Sequence, residues 1–182
     1  MDENNNKNAF FIGDFGCYEA AGARWDEIDF KNKLWKIPAE RMKGKKTHTV
    51  PLSPQCLTLL EIMKPISGDG EFIFPSENNP KTHIHPQTAN TALKRMGLGA
   101  QLVAHGLRAL ASTTLNEQGF DPDIIEAALA HSGKNEVRNA YNRADYLERR
   151  KPMMNWWSDH IEQAATGNVS LSNHKVLQLF GS

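Results

Sequence analysis

Residues 25–52 read WDEIDFKNKLWKIPAERMKGKKTHTVPL, and this stretch decides the fold class. It holds three short β-type runs, WDEIDF, KLWKIP and THTVPL, separated by the turn-like FKNK and the basic ERMKGKK. Runs this short with connections this brief predict a small antiparallel meander. Within the second connection, Gly44 suits a turn between strands, and the lysines around it can reach an anion.

Beyond the meander the signals turn helical. Ser53 is placed to cap a helix whose apolar face is Leu57, Leu59, Leu60, Ile62 and Met63, ending near Pro65 and the ISGDG loop. FIFPSENNPKTHIH reads as loop with a short extended start. Pro86 suits the first turn of a helix over QTANTALKRMG that Gly97 stops. A helix from Ala104 to Gln118 ends at Gly119, and Asp121-Pro122 opens another that buries Ile124, Ile125, Ala128 and Leu129. Asn135 is the cap expected for a further helix with Val137, Ala140 and Tyr141. A last helix carries Leu147, Met153, Met154, Trp156, Trp157 and Ile161. The expected class is therefore α+β, a three-stranded antiparallel sheet followed by a mainly helical body.

The chain has 182 residues, enough for one domain with an appendage but not for a multidomain machine. We expect a poorly specified start over residues 1–10, a domain over 11–165 and a tail over 166–182 that ends in the apolar VLQLF. Hydrophobic residues make up 40% and charged residues 23%, close to globular usage. No apolar run approaches the ~20 residues of a membrane span, so no membrane partner is expected. The polar start MDENNNKNAF has neither a basic opening nor a cleavage site, which makes the cytoplasm the default location. Cys17 and Cys56 are too few for a disulfide framework and lack zinc-site spacing.

Net charge is zero, yet it is unevenly spread. Residues 41–116 carry nine Lys and Arg against four acids, whereas 1–40 carry five against eight and 117–162 six against nine. No acid falls between Glu77 and Glu117, while Lys81, Lys94, Arg95, Arg108 and three histidines do. That partition suits a surface facing a polyanion.

Three segments carry residues that could do chemistry. In AHGLRA, His105 and Arg108 stand three apart on a helix and share a face. The hairpin Arg41-Met42-Lys43-Gly44-Lys45-Lys46 concentrates cations. In LAHSGKNEVRNAYNRADY, His131 is followed ten residues later by Tyr141. Taken singly, each has a plain reading as a surface pair, a solvated tip or a core tyrosine.

Their order, hairpin lysine, His-x-x-Arg, His and then Tyr, resembles that of the tyrosine recombinases. More narrowly, GARWDEIDF, WKIPAERMK, HTVPLS, HGLRA, LNEQGFDPDIIEAALAH and AYNRADYLERR resemble the catalytic domain of phage and genomic-island integrases over about residues 16–160. The resemblance implies site-specific DNA recombination through a 3′-phosphotyrosyl intermediate, with no cofactor, neither metal nor ATP. It assigns Tyr141 as nucleophile, Lys43 as general acid, and Arg108, His105 and His131 as holders of the nonbridging oxygens. Glu19 becomes a supporting acid. Arg41, Lys45, Lys46, His48, Lys81, Lys94 and Arg95 are the expected DNA contacts, within residues 41–48 and 81–108. The implied partners are a double-stranded attachment site, further integrase protomers and a DNA-bending accessory protein. The chemistry fits the residue types. A phenol of pKa near 10 needs charge-stabilising neighbours to attack phosphorus, and the departing 5′-oxygen needs a proton.

One position departs from the pattern. Aligned on Glu19, GDFGCYEAAGARW puts Gly16 where the family has its first catalytic arginine, while Arg24 belongs to the later GARW stretch. Loss of one such clamp costs on the order of 10²–10³ in rate by analogy with oxyanion donors. The family's upstream helical domain has no counterpart here either, so the expectation is a truncated integrase, an expressed fragment or a decayed remnant. The alternative from another class is a non-catalytic helix-turn-helix DNA-binding module over residues 109–141, and a third reading groups His83, His85, His105 and His131 as a metal site.

Overall fold

The computed structural model describes residues 17–95, 97, 99, 103–130 and 143–166. The expected start over 1–10, the helix from Asn135 and the tail after Thr166 lie outside them. A short helix α1 (Cys17–Ala21) leads into a 3-10 turn at Trp25–Glu27 and then a sheet of β1 (Ile28–Asp29), β2 (Leu34–Ile37) and β3 (His48–Pro51). Strand order is β1-β2-β3, antiparallel throughout, with Trp35 opposite Ile28 on one side and Val50 on the other. This is the expected meander. Its first run is mostly 3-10 turn, because Glu27 faces inward and its carboxylate accepts from the Arg24 backbone N–H.

Alternation on β2 sets the inner face. Trp35 and Ile37 are buried and Lys36 is exposed, as period-2 geometry requires. They join Val50, Leu52, Cys56, Leu60, Ile73 and Phe74 in a first core, closed by α2 (Pro54–Ser67). Ser53 caps α2, its hydroxyl accepting from the Cys56 N–H. That helix runs past Pro65 to Ser67, and Ile62, expected on its apolar face, is exposed. The loop after it is tied down by the bridges Arg24↔Phe72 and Pro75↔His83.

The helical body follows as α3 (Thr88–Arg95), α4 (Ala104–Glu117), α5 (Pro122–Ala128) and α6 (Arg143–Thr166). Pro86 precedes α3 by two residues and so does not sit in its first turn. Gly97 and Gly119 both take φ of +80°, a left-handed conformation suited to the residue that ends a helix. Asp121 caps α5 through the Asp123 N–H at 2.9 Å. A second core gathers Ala111 and Leu115 from α4, Ile124 and Ile125 from α5, and Met153, Met154 and Trp157 from α6.

Three polar links join the two cores. The Ser158 and Ser53 hydroxyls meet at 2.7 Å, both buried. Gln55 Nε2 donates to Asp159 and Glu162 at 2.7 and 2.9 Å. Arg150, buried on α6, donates to the carbonyls of Thr49 on β3 (2.7 Å), Ala127 on α5 and its own helix at Tyr146 (both 3.3 Å).

Candidate functional site

The connection between β2 and β3 is a 3-10 turn at Ala39–Arg41 followed by an exposed tip. Met42 drops into the first core, and Lys43 after it is the first exposed cation of the connection. Gly44 keeps an ordinary φ and has open space around it, whereas Lys45 adopts φ +50°. The turn residue is thus the lysine after the expected glycine. Lys45 and Lys46 are exposed with Lys43.

Arg108 lies half-buried on α4, and its Nε is buried with no hydrogen-bond partner among the described residues. A buried guanidinium donor without an acceptor carries a desolvation cost that an incoming anion would offset. His105 occupies the same helix three residues earlier, and its side chain lies outside the described part. Gly16, His131 and Tyr141 are outside it as well. Glu19 sits half-buried on α1.

Two of the expected DNA contacts are placed differently. Arg41 turns inward, its guanidinium ion-paired with the buried Glu27 and donating to the Glu19 carbonyl at 2.6 Å. Its charge is therefore committed within the fold. His48 is largely inside, and burial pushes its imidazole down to about 4, with the neighbouring Arg150 and Arg108 charges adding to the shift. A hydrogen bond with the Ala128 backbone opposes it. His48 is neutral at pH 7 and offers a phosphate no charge. Lys81, Lys94 and Arg95 are exposed, the last two at the C-terminal end of α3.

Of the histidines weighed as metal ligands, His83 packs edge-on against Phe72 with its Nδ1 2.7 Å from the Ile84 carbonyl. The Nδ1 of His85 accepts from the Gln87 N–H at 3.2 Å. No group of three or more His, Cys, Asp or Glu among the described residues is arranged to hold a metal ion.

Sequence reasoning missed Glu27 and Arg150. Glu27 hides in a run that reads as an ordinary strand start, and Arg150 in ERRK, which reads as solvated helix charge. No local signal marks either one, since their burial depends on partners up to 101 residues away.

The described residues thus form a small meander packed on helices, with a cationic hairpin tip and a partly desolvated arginine on α4. Its fold is shared with an integrase from mycobacterium phage Brujita (TM-score 0.62, 19% identity, 85% of this chain and 52% of that one). It is also shared with XerA recombinase (TM-score 0.51, 16% identity, 79% of this chain and 62% of that one). The Phage integrase family matches residues 17–148. Prophage integrase IntA of Escherichia coli strain K12 is 60% identical over 163 residues, 90% of this chain and 40% of that protein. The integrase of Enterobacteria phage P4 is 39% identical over 165 residues, covering 82% of this chain and 38% of its own. The chain belongs to the phage integrase family of tyrosine recombinases. It spans about 40% of the length of the curated relatives it matches. Among the described residues no helix is long and apolar enough to cross a membrane.

Proposed function

We propose that residues 11–165 form the catalytic domain of a site-specific recombinase that integrates or excises a prophage or genomic island. Tyr141 Oη gives up its phenolic proton to solvent water and attacks the scissile phosphorus, the bond from phosphorus to the 5′-oxygen breaks, and a 3′-phosphotyrosyl link forms. Lys43 gives its proton to the departing 5′-oxygen, and Arg108, His105 and His131 hold the nonbridging oxygens as their charge grows. The observation that carries this reading is Arg108, with a buried Nε that has no partner among the described residues, on the helix that also bears His105.

The substrate is a double-stranded attachment site in the bacterial cytoplasm, gripped by the cationic tip at Lys45 and Lys46 and by Lys81, Lys94 and Arg95. Further protomers and a DNA-bending protein complete the reaction, and residues 166–182 dock on the same or a neighbouring subunit. Gly16 in place of the first catalytic arginine favours a second reading, a folded remnant that binds DNA without cutting it.

The test is trapping on a nicked suicide duplex carrying a candidate attachment core. We expect a covalent protein–DNA species that Tyr141→Phe abolishes and Gly16→Arg increases. DNA binding without a covalent species in any variant would establish the remnant instead.

A further inference from the structure

We propose that Arg41 is a positioning residue that sets the reach of Lys43 by tying the hairpin to α1; the proposal rests on Lys43 as proton donor. Arg41 stands two residues before Lys43, at the end of the 3-10 turn that opens the connection. One arm of its guanidinium pairs with Glu27, whose side chain is only 5% exposed, and the other donates to the Glu19 carbonyl on α1 at 2.6 Å. The same Glu27 oxygen accepts from Trp35 Nε1 on β2 at 2.9 Å and from the Arg24 N–H at 3.3 Å. One buried carboxylate therefore gathers the strand, the turn before it and the base of the hairpin. Through the arginine it also reaches α1.

The packing leaves the guanidinium little freedom. A Cβ on Gly22 would lie 3.1 Å from Arg41 Nη2 and 3.6 Å from the His83 ring, so the group is seated over a glycine with an imidazole beside it. The requirement is for arginine specifically. Its planar fork serves two acceptors in different directions, whereas a lysine ammonium at Glu27 leaves the Glu19 carbonyl unserved.

Beyond this anchor and the buried Met42, residues 43–47 are exposed, so the two anchors determine where the Lys43 backbone begins. A general acid works only within hydrogen-bond reach of the oxygen it protonates, and a displacement near 1 Å costs on the order of 10² in rate. Glu19, expected as a supporting acid, contributes to this tie through its backbone.

The test uses the full chain in single-turnover cleavage of two nicked duplexes, one ordinary and one with sulfur at the 5′-bridging position. A thiolate leaves without a proton, its conjugate acid having a pKa near 8.5, so loss of the proton donor alone is bypassed by sulfur. We expect Arg41→Lys to slow the ordinary duplex roughly 10- to 100-fold and to recover on sulfur, as Lys43→Ala does. Arg41→Lys slowed equally on both duplexes, or on neither, overturns the positioning role while leaving Lys43 as the acid. If Lys43→Ala is not recovered by sulfur, or the unaltered chain cleaves neither duplex, the reading of Lys43 falls and the positioning role with it. Amide exchange supplies the second measurement. Arg41→Lys should speed exchange over 41–47 with β2 unchanged, and unaltered exchange there contradicts the tie.

Discussion

His48 shows how a residue that reads as a surface cation becomes part of the interior. It lies on β3 opposite Ile37 and faces Arg150 from α6, Arg108 from α4 and the backbone of Ala128. Burial and those two charges bring its imidazole from an ordinary 6.5 to about 4. Above pH 6.5 it is neutral whether folded or unfolded and contributes no pH dependence. Between 6.5 and 4 the unfolded chain takes up a proton that the folded chain refuses, so stability falls as pH is lowered, by up to about 3 kcal/mol. Urea unfolding of His48→Gln across this window should give a flatter dependence than the unaltered chain. Equal slopes would place the titrating group elsewhere. The sequence shows a histidine at the end of a basic hairpin and nothing of the arginines that meet it. Those arrive from helices 60 and 102 residues later, so the local text reads as DNA-facing and the tertiary contact decides otherwise.

At the scale of elements, the boundaries were legible wherever a local rule enforces them. Ser53 and Asp121-Pro122 start helices because their side chains accept from orphan backbone N–H groups, and Gly97 and Gly119 end helices because φ +80° suits no other residue as well. The meander was legible from its short β-type runs. What no local rule announces is how sheet and helices are joined, since that depends on Arg150 reaching across from α6. Its guanidinium serves three backbone carbonyls, and burial lowers its pKa to about 10, which leaves it charged at neutral pH. Arg150→Met should cost about 2–4 kcal/mol, because three carbonyls lose a charged donor while the buried charge is relieved. Chemical denaturation measures this directly, and a loss under 1 kcal/mol would mean the three bonds are no better than surface contacts.

For the whole molecule, a zero net charge conceals a cationic tip and a basic helix end, the surface proposed above to meet DNA. Phosphate contacts release counterions, so duplex affinity should fall linearly with salt on logarithmic axes, by about 0.9 per phosphate neutralised. Lys45→Asn, which keeps a residue tolerant of positive φ, should lower that slope by about 1, whereas Lys36→Ala should leave it unchanged. Lys36 is already paired with Asp29 at 2.9 Å on β2. An unchanged slope for Lys45→Asn would remove the tip from the DNA surface. The candidate site was legible only in part. The order of Lys43, His105, Arg108, His131 and Tyr141 is plain in the sequence, but the inward turn of Arg41 is not, since a hairpin cation and a buried strut look alike in one dimension.

Whether Tyr141 bonds to DNA is decided by digesting the trapped complex and locating the nucleotide adduct by mass spectrometry. The chain has three tyrosines: Tyr141, the exposed Tyr18 on α1, and Tyr146, packed partly buried against the second core. The adduct is predicted on the peptide carrying Tyr141, and an adduct on Tyr18 or Tyr146, or no adduct on any tyrosine, would rule out Tyr141 as the nucleophile.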